Sequence, residues 1–222
     1  MSKKRILIVE DHPIFRLGLT ELINQEEDLE VCGSAMDVSE AWSEIKRLKP
    51  DLVIADITLR KSNGIDLVKA VNKQYANLPV LVLSMHDELL YAERAIHGGA
   101  RGYITKQDAM ENVVTAVRAV LNNKIYLEDH VKDRILFGLT SGGPRDRSPV
   151  ERLTDRELEV FRMIGQGFST REIADRLHLS MKTIGTYRER IKEKLNLKHA
   201  NELVRYAVHW AKFGRWIPDD TV

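Results

Sequence analysis

The sequence predicts an α/β protein in two parts: a five-stranded parallel sheet covered by helices, then an all-helical domain. In residues 1–124, apolar runs of strand length alternate with amphipathic stretches of helix length. From Leu153 onward the strand-like runs stop and only helical periodicity remains. Between the two, SGGPRDRSP at 141–149 is rich in turn residues and charge and reads as a linker. The domains are therefore placed at 1–124 and 148–222, with 125–147 connecting them; 222 residues accommodate two domains comfortably.

The expected strands are 5–9, 30–34, 52–55, 80–83 and 102–105. Pro13 opens the first helix, where its missing N–H costs nothing, and Phe15, Leu19, Leu22 and Ile23 form its apolar face. The fifth helix is expected to open at Asp108, with Glu111 at capping-box spacing. Its stripe is Met110, Val113, Val114, Val117, Val120 and Leu121. Five βα units in about 120 residues imply a parallel sheet covered on both faces. A short helix is expected at about 129–139. In the second domain, Thr154 with Glu157 and Ser169 with Glu172 have capping-box spacing, and Ser180 is a further N-cap. No internal repeat is visible.

Charged residues make up 30% of the chain and the net charge is +1, so the overall balance names no partner. The parts differ. Residues 1–124 carry 16 basic and 18 acidic residues, and residues 148–222 carry 14 and 11. The stretch 182–198 holds six basic and two acidic residues, which suits either nucleic acid or a solvated helix face. Cys32 is the single cysteine, which excludes a disulfide framework and a thiolate metal site. The N-terminal apolar run is too short for a signal peptide, and no run approaches a membrane span. The expected compartment is the cytoplasm, with no membrane contact.

Polar residues punctuate the ends of the expected strands: Glu10 and Asp11, Asp56, Ser84 and Lys106. In an open parallel sheet the carboxyl ends of the strands converge on one edge, where ligands bind at the switch in strand order. A dinucleotide site would have a glycine-rich turn after the first strand, but Glu10-Asp11-His12-Pro13 stands there, and two carboxylates repel a bare pyrophosphate. A haloacid-dehalogenase-type phosphatase needs a second Asp two residues after the first, where this chain has Thr58. Hard carboxylate oxygens without His or Cys suit Mg2+, which accepts phosphate oxygens as further ligands. Asp56 then serves as a nucleophile able to form an acyl phosphate. Glu10, Asp11, Asp56 and the Thr58 carbonyl hold Mg2+, while Lys106 and Ser84 contact the phosphoryl oxygens.

These residues resemble the response-regulator receiver domain, the flavodoxin-like phosphoacceptor module of two-component signalling. The matching features are Glu10-Asp11, the phosphoacceptor Asp56 with Gly64 eight residues on, the hydroxyl of Ser84, and Lys106 with Tyr103 three residues before it. The resemblance implies that a sensor histidine kinase phosphorylates Asp56. It also implies that Ser84 and Tyr103 reorient together and reshape the face of the fourth helix, fifth strand and fifth helix. Arg60 and Gln107 stand where many receivers have proline. Residues 153–213 are similar to the LuxR-type output domain, a four-helix helix-turn-helix module; the stretch LTDRELEVFRMIGQGFSTREIADRLHLSMKTIGTYRERIKEKL carries that likeness. Together they identify the NarL/FixJ class of response regulators.

Helix 170–177 is then the first of the pair and 181–195 the recognition helix, with His178 at the exit between them. The apolar face of the recognition helix is Ile184, Tyr187, Ile191 and Leu195. Lys182, Thr186 and Glu189 point the other way, with Thr183 beside them, as candidates for base contact. Arg188, Arg190, Lys192 and Lys194 sit to the sides and suit phosphate. Gly185 either admits the DNA backbone closely or is tolerated drift. Leu203, Ala207 and Trp210 form a stripe that is either core or a dimer seam. The implied protein is a transcription factor controlled by Mg2+-dependent phosphorylation, dimeric when phosphorylated, binding double-stranded half-sites. It has no enzymatic action beyond its own phosphorylation and dephosphorylation. The alternatives are a constitutive DNA binder with a silent receiver, and a metal-dependent phosphatase acting on other molecules.

Overall fold

The structure, a computed structural model, describes residues 2–59, 62–85, 89–129, 131–133 and 149–213. The chain divides into two compact units, Met1–Gly142 and Gly143–Val222.

The first unit runs β1 (Lys4–Val9), α1 (Pro13–Asn24), β2 (Leu29–Ala35), α2 (Val38–Leu48), β3 (Leu52–Asp56), β4 (Thr58–Leu59), β5 (Ser62–Asn63), α3 (Gly64–Gln74), β6 (Val80–Ser84), α4 (Leu89–His97), β7 (Gly102–Thr105) and α5 (Lys106–Leu121). The five longer strands form one parallel sheet in the order β2-β1-β3-β6-β7. The order reverses between β1 and β3, so the ligand crevice of such a sheet opens at their carboxyl ends. Side chains alternate between the two faces. Ile6, Ile8, Ile54, Leu81, Leu83 and Ile104 join Leu19 and Ile23 of α1 and Val113, Val117 and Val120 of α5 in one buried cluster. The alternate residues Leu7, Val53 and Val82 are equally buried on the other face, against which α2, α3 and α4 lie.

Several expectations shift. β3 and β6 run one residue further than the apolar runs, so Asp56 and Ser84 are strand residues themselves. The fifth helix begins at Lys106, two residues before Asp108. Thr105 is its N-cap and accepts from the Asp108 amide, and Asp108 sits at the third helical position. The buried stripe is Ala109, Val113, Ala116, Val117 and Val120, and Met110 is exposed. The antiparallel pair β4–β5 is too short to show any period in the sequence. β7 is an edge strand, yet its edge is partly covered: Tyr103 donates to the Tyr126 carbonyl and the Tyr126 amide donates to Arg101. Asp129 and residues 131–133 are helical, and the rest of the helix expected at 129–139 lies outside the described residues.

The second unit opens with a 3-10 turn at Pro149–Arg152 and continues as α6 (Asp155–Gly165), α7 (Thr170–Leu177), α8 (Met181–Leu195) and α9 (Ala200–Phe213). Both capping boxes form with both of their bonds, and Ser180 accepts from the Thr183 amide at 3.0 Å. Each such cap is worth about 1 kcal/mol. His178 and Asn196 end α7 and α8 in left-handed backbone, at φ 51° and 56°. The core forms around Phe161, whose ring lies 5.6 Å from Trp210 and 5.8 Å from Tyr206. α6 and α9 approach so closely that a Cβ on Gly165 would lie 2.4 Å from the Ala207 carbonyl oxygen. Leu203 and Ala207 are fully buried and Trp210 nearly so. All three therefore belong to the core of this unit and not to a dimer seam, because α6 covers the apolar stripe of α9. No described helix is long and apolar enough to cross a membrane.

Candidate metal centre and nucleic-acid interface

Three strand ends and the start of one helix deliver the polar cluster to one place. β1 ends into Glu10 and Asp11, and the Glu10 amide still bonds to Ala35 of β2 at 2.9 Å. β3 ends on Asp56 and β6 on Ser84, both buried. Lys106, the first residue of α5, is buried as well. Its Nζ lies 2.5 Å from Glu10 Oε2 and 2.8 Å from Asp56 Oδ2, and 4.8 Å from the centre of the Phe15 ring. Ligand atoms of Glu10, Asp11, His12 and Asp56 all fall within 4.8 Å of one another. Ser84 pairs in register with Thr105, and Tyr103, buried on β7, pairs with Val82.

Three carboxylates around one ammonium leave an excess of two negative charges. Burial pushes the Asp56 carboxyl up to about 7; the Lys106 ammonium pulls it down, while the Glu10 charge adds to the rise. The Thr58 backbone favours the ionised form. Burial alone would lower the Lys106 pKa, but Asp56 and Glu10 together outweigh it and hold the ammonium above the usual lysine value. Asp56 Oδ1 is buried and meets no hydrogen-bond partner among the described residues. A buried orphan of this kind needs a partner, and a hard divalent cation such as Mg2+ would supply it.

The local chain explains why these groups converge. The antiparallel pairing of β4 with β5 brings Gly64 back onto Asp56, and a Cβ at Gly64 would lie 1.9 Å from the Asp56 carbonyl oxygen. Its amide donates to Ile57 at 2.8 Å, and Asn63 caps α3 by accepting from Ile65 at 2.9 Å. Arg16 donates to the Glu10 carbonyl at 2.6 Å, and the His12 amide donates to Glu10 Oε1 at 2.9 Å. The sequence reading missed His12, Phe15 and Arg16 as members of the cluster. Their place next to the acidic pair or four to six residues past it, at the start of a helix, was the available signal. Gln107 is the second residue of α5, where the amide has no partner within the helix. Arg60 lies outside the described residues. A cleft of about 400 Å³ opens beside Lys106, bordered by Phe15, Met85, Gln107 and Glu128.

In the second unit, Ile184, Ile191 and Leu195 of α8 are buried and Tyr187 half-buried. Lys182, Thr186, Glu189 and Arg190 are exposed. Thr186 donates to the Lys182 carbonyl at 3.1 Å, and Thr183 is tied into the Ser180 cap. Arg188 is half-buried, and burial lowers its pKa. Lys192 pairs with Glu189 at 2.8 Å. Lys194 turns inward to the buried Glu157 of α6 at 2.6 Å, a structural ion pair that the sequence reading did not foresee. A Cβ at Gly185 would meet no atom within 4 Å.

Comparison with known proteins agrees with this geometry. Residues 6–118 match the response regulator receiver domain, and residues 151–207 match the bacterial regulatory proteins of the luxR family. The oxygen regulatory protein NreC of Staphylococcus carnosus (strain TM300) is 30% identical over 209 residues, which cover 92% of this chain and 96% of NreC. The structure of RcsB from Salmonella enterica serovar Typhimurium, bound to promoter P1flhDC in the presence of phosphomimetic BeF3-, is 25% identical. It superposes with a TM-score of 0.61 over 94% of this chain and all of that one. A structure of two RcsB dimers bound to two parallel DNAs is also 25% identical, with a TM-score of 0.57 over 93% of this chain and 98% of that one. The parallel α/β unit and the helical unit that follows it are thus a receiver and its output domain, and the chain belongs to the response regulators with a LuxR-type DNA-binding domain, the NarL/FixJ type.

Proposed function

We propose that a sensor histidine kinase transfers a phosphoryl group to Asp56, and that this controls DNA binding by the output domain. The observation that carries the reading is the buried Asp56 carboxylate, bonded to Lys106 on one oxygen and unpartnered on the other, beside Glu10 and Asp11. Glu10, Asp11, Asp56 and the Thr58 carbonyl would hold Mg2+, which when bound offsets the charge of the incoming phosphoryl group. An Asp56 carboxylate oxygen attacks phosphorus, the bond from phosphorus to the donor imidazole breaks, and the product is an acyl phosphate. Lys106 and the Ser84 hydroxyl contact its oxygens, and Tyr103 moves with Ser84. The added charge, about −1.5 to −2 for a phosphorylated side chain, biases the receiver between two states.

The receiver is assigned to 1–124, the connection to 125–147 and the output domain to 148–222. The phosphorylated chain acts as a homodimer on two half-sites of double-stranded DNA, a reading supported by the RcsB dimers on DNA. Lys182, Thr183, Thr186 and Glu189 face the bases, and Arg188, Arg190 and Lys192 the phosphates. Lys194 reaches phosphate only by leaving Glu157. The test is intact mass after incubation with Mg2+ and acetyl phosphate, for the wild type and Asp56→Asn. One added phosphoryl group in the wild type alone is expected. Uptake by the variant would sink the assignment of Asp56, and no uptake by either would move the silent receiver to the front.

A further inference from the structure

The carboxylate crevice holds one side chain that phosphoryl transfer leaves without a role. His12 is the N-cap residue of α1, but its side chain makes no capping hydrogen bond. The ring instead turns to the acidic pair, with Nδ1 3.2 Å from Asp11 Oδ1 and 3.4 Å from Glu10 Oε1. Two donors on neighbouring vertices of one ion, with bonds of about 2.1 Å, are roughly 3.0 Å apart. The imidazole is therefore spaced from the carboxylates as an adjacent ligand would be. A second and independent feature points to a ligand here: Asp56, a member of the same cluster and only 1% exposed, has its Oδ1 unpartnered. The imidazole itself is on the surface, with 73% of its side chain exposed, so an arriving ion meets it first.

We propose that His12 makes this cation site a mixed oxygen–nitrogen site, which takes a first-row transition ion of the Mn2+, Co2+ and Zn2+ class through the imidazole as well as the carboxylates. The proposal rests on the Mg2+ reading of the same carboxylates. Mg2+ gains little from an imidazole, whereas affinity for transition ions rises with each nitrogen donor and increases from Mn2+ to Co2+. The ratio of Co2+ to Mg2+ affinity is therefore a property of His12, while retention of either ion depends on Glu10, Asp11 and Asp56.

The test uses the full chain with Mn2+ and Co2+ as probes. Pulsed electron paramagnetic resonance on bound Mn2+ should show nuclear modulation from an imidazole nitrogen in the wild type and none in His12→Ser, which keeps a residue suited to an N-cap. Calorimetric titration should show the Co2+ to Mg2+ affinity ratio falling by about tenfold in His12→Ser, the lower end of what loss of a supporting group costs a metal site. Bound Mn2+ without nitrogen modulation, together with an unchanged affinity ratio, would overturn the role of His12 and leave the Mg2+ reading intact. Failure of the wild type to bind Mg2+, Mn2+ or Co2+ would overturn both.

Discussion

Replacing Asp56 by asparagine should make the unphosphorylated receiver more stable when no divalent cation is present. Asp56 is buried beside Lys106 and Glu10, and its carboxyl is pushed up from the usual 3.8 to about 7. Folding therefore penalises the ionised form. A rise of that size is equivalent to about 4 kcal/mol at pH values above it. Relaxation and water entry reduce the figure, so about 2–4 kcal/mol is expected. A carboxyl whose folded pKa lies above its unfolded value contributes its stability in full below the unfolded pKa, and loses it as pH rises through the folded pKa. The difference between variant and wild type should thus be small near pH 4, open between pH 4 and 7, and stay constant above that. Hydrogen exchange of the β1 and β3 amides, read by mass without metal, reports the opening of the receiver apart from the helical unit. At pH 8 those amides should exchange about 30- to 1,000-fold more slowly in the variant, which is the same 2–4 kcal/mol at RT ≈ 0.59 kcal/mol. Equal or faster exchange in the variant, or a difference that does not change with pH, would refute the electrostatic account of the crevice.

Lys194→Met leaves Glu157 buried without its cation. Because Lys194 is itself 34% exposed, the cost should be about 1–3 kcal/mol, below the 3–5 typical of a fully buried pair, and thermal unfolding measures it. Burial works against the Glu157 charge, but bonds from Lys194 and Thr154 outweigh it and hold the carboxyl below the usual glutamate value of 4.5. Its contribution is then full above pH 4.5 and lost as pH falls through the lower folded value, and the variant should show a shallower acid loss. Gly64→Ala places a methyl group against the Asp56 carbonyl and should abolish phosphoryl uptake with Asp56 still present, as intact mass would show. Gly185→Ala meets open space and should raise the melting temperature by the equivalent of about 1 kcal/mol; a fall would mean that α8 packs differently there.

By itself the sequence determined what depends on neighbours along the chain. The alternation of strand and helix follows from periodicity, and the caps at Thr154, Ser169 and Ser180 follow from side-chain oxygens within three residues of the amides they meet. The carboxyl ends of β1, β3, β6 and β7 were legible because apolar runs stop there, and the parallel order then forces Glu10, Asp56, Ser84 and Lys106 to one edge. An apolar stripe shows that a face is covered but not what covers it. Only the fold decided that Leu203, Ala207 and Trp210 lie against α6, and that Met110 is left outside. A charge in a basic helix likewise shows no partner, and only packing joined Lys194 to Glu157 across 37 residues. The same holds for Lys106, which spans 50 residues to reach Asp56, and for the His12 ring, whose direction depends on where the turn after β1 places it. Local hydrogen bonding and periodicity act through a few neighbouring residues. Contacts between distant segments exist only once the sheet order has set which ends meet.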